Sequence, residues 1–187
     1  MLSDKIKSAT KAEHVALEKV TLPLIKNSTS RSAYLQLLQV FHSFFKAMED
    51  EMTEIEELNA VPEMAIRRKS SWLSEEIRAI EADPKTEMKP LNSKPSISSL
   101  FEALGILYVL EGSTLGGQYI VKMLRNTYPE PDHDFRFFEG YGERTFAMWQ
   151  SFLIYLNATP QEQHETVIAS ARKTFKQFTD HIMLHKV

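Results

Sequence analysis

Tyr34, Leu37, Leu38, Phe41, Phe45, Met48, Met52 and Ile55 recur mostly three and four residues apart, the spacing of one face of an α-helix and not of a strand. So long an apolar face must be buried against other elements, and Ser30 is placed to cap its start, which predicts a helix from Arg31 to about Leu58. The same periodicity predicts helices from Ser3 or Asp4 to about Val20, with Leu22-Pro23-Leu24 at or just past its end, and from Met64 to Ala82, stopping at Asp83-Pro84. Further helices are predicted from Ile97 to Asn126, from Glu143 to Leu156, and from Pro160 to Leu184 behind Thr159 as cap. Pro84 to Ser99 suits an exposed connection, and Pro129, Pro131, Gly140 and Gly142 prevent the stretch between Asn126 and Glu143 from being one helix. The expected fold is all-α: one domain over residues 1–187, a bundle of six to seven helices.

Composition narrows the function. With 22 basic and 25 acidic residues the net charge is −3, which lacks the basic excess of a nucleic-acid binder. The absence of cysteine removes disulfides, thiolate-bound haem, iron–sulfur clusters and cysteine zinc sites. Any metal must then be held by histidine, carboxylate or tyrosine. Charges in Met1-Leu2-Ser3-Asp4-Lys5-Ile6-Lys7 leave no signal-peptide core, and no apolar run is long enough to span a bilayer, so a soluble, cytoplasmic protein is expected.

Two segments depart from ordinary helix chemistry. Tyr108-Val109-Leu110-Glu111-Gly112-Ser113-Thr114-Leu115-Gly116-Gly117-Gln118 places three of the chain's six glycines in one apolar helical stretch, each costing about 1 kcal/mol against alanine. Gly105, Gly112 and Gly116 fall along one face and leave bare backbone, which suits either close approach of a flat ligand or tight packing of another helix. In the first helix Lys7 and His14 are seven residues apart, about 10 Å along one face. That separation suits a planar metallocycle with iron at the imidazole and a propionate at the ammonium. Glu18, one turn on, is placed to accept the other imidazole N–H.

Together with Ala9-Thr10-Lys11-Ala12-Glu13-His14 and Phe137-Phe138-Glu139-Gly140-Tyr141-Gly142-Glu143-Arg144, the glycine-rich segment resembles the haem oxygenase family, in particular its compact bacterial, biliverdin-producing members. The resemblance implies haem b, as substrate and cofactor at once, between a proximal helix and a kinked distal helix. It implies His14 as the axial iron ligand, Lys7 and Tyr108 as propionate contacts, Glu18 behind the imidazole, and Phe175 packing near the haem. Gly112, Ser113 and Gly116 would form the catalytic distal wall. Ser113 stands where many members carry aspartate, and Gln150 where many carry a basic propionate contact, a role open to Arg144 or Lys122. The implied reaction is conversion of haem to biliverdin, carbon monoxide and ferrous iron with O2. The sequence shows no nucleotide or flavin motif, so a ferredoxin or reductase would be the transient electron donor. A non-catalytic haem carrier or sensor, and a helical interaction module without haem, are the competing readings.

Elsewhere, His181 and His185 have i, i+4 spacing open to a metal or to plain solvation, and His42 with Glu49 is the place for a non-haem iron site. The acidic run from Glu49 through Glu57 is expected as a solvated face, and Trp72, Phe101, Phe146, Trp149 and Phe152 as core.

Overall fold

The structure is a computed structural model, and its described residues are 1–80, 96–130 and 132–185. The helices are α1 (Leu2–Ala9), α2 (Lys11–Lys26), α3 (Arg31–Met52), α4 (Ser70–Ile80), α5 (Leu100–Gly112), α6 (Gly117–Thr127), the single turn α7 (Arg136–Glu139), α8 (Thr145–Asn157) and α9 (His164–Leu184). No strand occurs among the described residues. The α1/α2 and α5/α6 pairs each divide what the periodicity predicts as one helix. The expected connection at 84–99 lies outside the described residues except for 96–99.

Side chains that compete for the backbone set the breaks. Thr10 ends α1 with φ −107° and ψ 9°, its hydroxyl donating to the Ile6 carbonyl at 2.8 Å. Lys7 and His14 therefore stand on two helices, and the single-helix face that would align them is interrupted. α2 also runs past Pro23 to Lys26: proline removes one N–H, yet the Pro23 carbonyl still accepts from the Asn27 N–H at 2.9 Å. Ser30 caps α3 through a bond from the Ala33 N–H at 3.2 Å, as its sequence position predicts. That helix stops at Met52, where Thr53 N–H closes onto the Asp50 carbonyl in a tighter turn, followed by a 3₁₀ segment at Glu56–Ala60. The predicted helix at Met64 begins only at Ser70, and the one at Pro160 begins only at His164, because Pro160 is extended (ψ 143°).

One continuous apolar core binds these helices, centred on the wholly buried Phe44, Phe45, Phe137, Phe138 and Phe152. Phe44 stacks on Phe178 with centroids 4.1 Å apart, joining α3 to α9. Trp149 and Phe152 are buried as expected, but Phe146 is 67% exposed. Glu49 is not a solvated charge either. It accepts from Ser70 N–H at 2.7 Å and Ser70 Oγ at 2.5 Å, so it caps α4, and burial pushes its carboxyl above the usual range.

Two glycines allow backbones to approach where any side chain would obstruct. A Cβ at Gly105 would lie 2.6 Å from both Ser170 Cβ and the Val167 carbonyl, so this glycine serves the packing of α5 on α9 and does not belong to an open strip. A Cβ at Gly117 would lie 2.0 Å from the Phe138 carbonyl. We expect Gly117→Ala to cost at least about 2 kcal/mol through overpacking against backbone that has no side chain to move aside. Urea denaturation of the variant checks this, and an unchanged midpoint would mean that α6 and α7 separate freely.

Candidate functional site

α2 packs on α9 and α6, which brings the helix bearing His14 beside the helix that follows the glycine-rich turn. His14 is 55% exposed in its side chain, and its ring meets the Phe175 ring edge-on with centroids 5.6 Å apart. Phe175 is buried at 6% exposure and so forms a firm wall for the imidazole. His14 Nδ1 lies 3.7 Å from a Glu18 carboxylate oxygen, longer than a hydrogen bond but on the correct side to attract an Nδ1–H. The other nitrogen, Nε2, has no protein partner among the described residues, which leaves its lone pair for a ligand. Lys7 is exposed and makes no hydrogen bond or ion pair among them.

The distal side is built by a short tightened turn. Between α5 and α6 the backbone passes through a 3₁₀ segment, Ser113–Gly116, instead of continuing as one α-helix. The two distal glycines behave differently. At Gly116 an added Cβ would meet nothing within 4 Å, whereas at Gly112 it would touch Trp149 Cη2 at 3.4 Å. Open space therefore lies at Gly116, while Gly112 lets the indole close in. Tyr108, one turn before Gly112, packs against the same indole with ring centroids 5.3 Å apart and planes tilted by 57°. Burial is the main cause raising its phenol pKa, with Asp4 nearby adding to it, and its hydroxyl has no hydrogen bond among the described residues.

A buried ionic network, invisible to the motif reading, supports this turn. Arg67 Nη1 pairs with Glu111 Oε2 at 2.5 Å with both side chains at 2–3% exposure. Tyr141 donates to both Glu111 oxygens at 2.9 and 3.0 Å, and its own oxygen accepts from the Arg68 N–H at 2.7 Å. Arg68 Nη2 donates at 2.5 Å to the Leu110 carbonyl and to Ser113 Oγ. Its guanidinium lies over the Phe137 ring at 4.3 Å. Ser113 Oγ in turn donates to the Leu110 carbonyl at 2.7 Å, leaving one lone pair to accept from water. The Glu111 partner of Arg67 and the Leu110 and Ser113 partners of Arg68 lie more than 40 residues away along the chain, so no local pattern marks these contacts.

Other candidates find different employment. Arg144 is paired with Glu63 at 2.7 Å, and Lys122 and Gln150 are exposed. His42 Nε2 meets Ser74 Oγ at 2.8 Å, and no group of three or more histidine, cysteine or acidic side chains among the described residues is placed to hold a metal. A separate cleft of about 630 Å³ is lined by Met52, Leu58, Val61, Leu107 and Leu110, but by none of His14, Gly112, Gly116 or Phe175.

Comparison with known proteins decides the family, because the family model for heme oxygenase matches residues 1–183. The chain belongs to the heme oxygenase family. A heme oxygenase from Xanthomonas campestris pv. campestris (strain 8004) is 29% identical over 147 residues, covering 78% of this chain and 86% of that protein. The fold matches the NO- and CO-bound heme oxygenase of Neisseria meningitidis with a TM-score of 0.82 at 21% identity, over 99% of this chain and 92% of the other. It also matches heme oxygenase-1 of the cyanobacterium Synechocystis sp. PCC6803 in complex with heme, with a TM-score of 0.75 at 16% identity, over 98% and 91% of the two chains. Membership makes this chain a haem-degrading enzyme with haem as its substrate. Among the described residues no helix is long and apolar enough to cross a membrane.

Proposed function

We propose that the chain converts haem b to biliverdin, carbon monoxide and ferrous iron, using O2 and electrons from a separate ferredoxin or reductase, in one domain spanning residues 1–187. The observation that carries the site assignment is the pairing of a half-exposed His14, its Nε2 unengaged, with open space at Gly116. Those two features sit on helices that adjoin through α6. A flat, largely apolar substrate suits a site whose few polar groups fix its orientation.

In this reading His14 holds the iron through Nε2, and the Glu18 carboxylate draws the Nδ1–H and so fixes the tautomer. Lys7 and Tyr108, whose polar ends are uncommitted, take the propionates, and Phe175 keeps the imidazole upright. Bound haem supplies both the iron centre that O2 chemistry needs and the macrocycle that is consumed. Bare backbone at Gly116 faces open space, while at Gly112 the Trp149 indole closes in. Protons reach the distal side through water accepted at Ser113 Oγ, a hydroxyl that Arg68 and Leu110 hold in place. Lys11 and Lys19, exposed on the same helix as His14, place positive charge that favours an acidic electron-transfer partner and makes the rate fall with salt.

Gly116→Leu tests the assignment. Its side chain grows into open space, so the unfolding free energy should stay within about 0.5 kcal/mol of wild type, while hemin binding and bilin formation are lost. Hemin bound with unchanged affinity by this variant would place the substrate elsewhere.

A further inference from the structure

The histidines at the end of α9 are not used by the haem site. His181 is 1% exposed, and its ring centroid lies 4.5 Å from that of His185 on the next turn. Hydrogen bonding fixes the tautomer of both. His181 Nε2 lies 3.1 Å from the Val40 carbonyl and 2.8 Å from Ser43 Oγ. A carbonyl oxygen can only accept, so the bond to Val40 requires the hydrogen on Nε2. His185 Nδ1 lies 2.8 Å from the His181 carbonyl, so it too is protonated. The remaining nitrogens, His181 Nδ1 and His185 Nε2, are therefore lone pairs. Both are buried and neither has a hydrogen-bond partner among the described residues, an arrangement that costs free energy unless a donor or a cation occupies it.

We propose that His181 and His185 form a two-imidazole site for a divalent transition-metal ion, distinct from the iron of haem. An imidazole whose second nitrogen donates to a backbone carbonyl is the usual form of a metal-ligating histidine, and here both rings have it. The neighbouring Asp180 is taken by Lys176 at 2.6 Å, and no third histidine, cysteine or carboxylate joins among the described residues. Water then completes the coordination sphere. Borderline nitrogen ligands favour ions such as Zn²⁺ over Mg²⁺ or Ca²⁺.

The test is Zn²⁺ uptake by the full chain in competition with a chromogenic chelator, for wild type and His185→Gln. Wild type should take up one equivalent at this site, and the variant should bind it at least about tenfold more weakly while its haem turnover is unchanged. Because the variant could perturb the end of α9, ¹⁵N resonances of the wild-type imidazoles give a second reading. Zn²⁺ should move His181 Nδ1 and His185 Nε2 and leave the two protonated nitrogens in place. Equal Zn²⁺ affinity in the two proteins, or imidazole resonances that Zn²⁺ does not move, overturns the proposal.

Discussion

Glu111→Ala should destabilise the protein by about 3–5 kcal/mol, the cost of leaving one member of a buried ion pair without its partner. The substitution strips Arg67, at 2% side-chain exposure, of its only carboxylate contact among the described residues and removes the acceptor of the Tyr141 hydroxyl. Other acceptors of Arg67, the Pro62 and Met148 carbonyls and Ser151 Oγ, are neutral and do not balance its charge. Urea denaturation of the wild type, Glu111→Ala, and the double variant Arg67→Met with Glu111→Leu separates charge from packing. The double variant should recover most of the loss, since apolar replacement of both partners removes the stranded charge. If Glu111→Ala alone shifts stability by less than about 1 kcal/mol, the network does not hold the distal turn. Tyr141 and Arg68 connect the pair to Ser113, so loss of Glu111 should also loosen the hydroxyl that borders the distal glycines.

The helical class and most of the helix positions follow from apolar spacing, as the stripe ending at Met52 illustrates. Boundaries are less legible. Thr10 breaks a continuous amphipathic pattern through a side-chain bond to Ile6, and Pro23 is absorbed inside a helix that its residue type is expected to end. Both outcomes depend on individual hydrogen bonds and not on periodicity. The same limit applies to charge: Glu49, within an acidic run, becomes the cap of a helix starting at Ser70, a partnership of tertiary origin. Within the candidate site, the motif carries His14 and the glycines. The structure then distinguishes Gly116, facing open space, from Gly112, facing Trp149, and gives Gly105 to helix packing. Arg67 and Arg68 are not legible in the sequence because most of their partners come from α5, α8 and the segment around Tyr141.

The second large effect concerns His14. Its side chain is 55% exposed and its polar contact with Glu18 is long, so His14→Ala should leave the unfolding free energy within about 0.5 kcal/mol of wild type. Its effect falls on the substrate, since no other described histidine lies against Phe175 in a position to replace it. The decisive measurement is an absorption spectrum of wild type and His14→Ala titrated with hemin, then given a reductant and a competent electron donor in air. Wild type should develop a sharp Soret band saturating at one equivalent that bleaches into broad red bilin absorption. His14→Ala, equally folded, should lose that ligated spectrum and most of the turnover. A wild-type haem spectrum that survives reductant and oxygen, or a variant that turns over normally, would contradict the account.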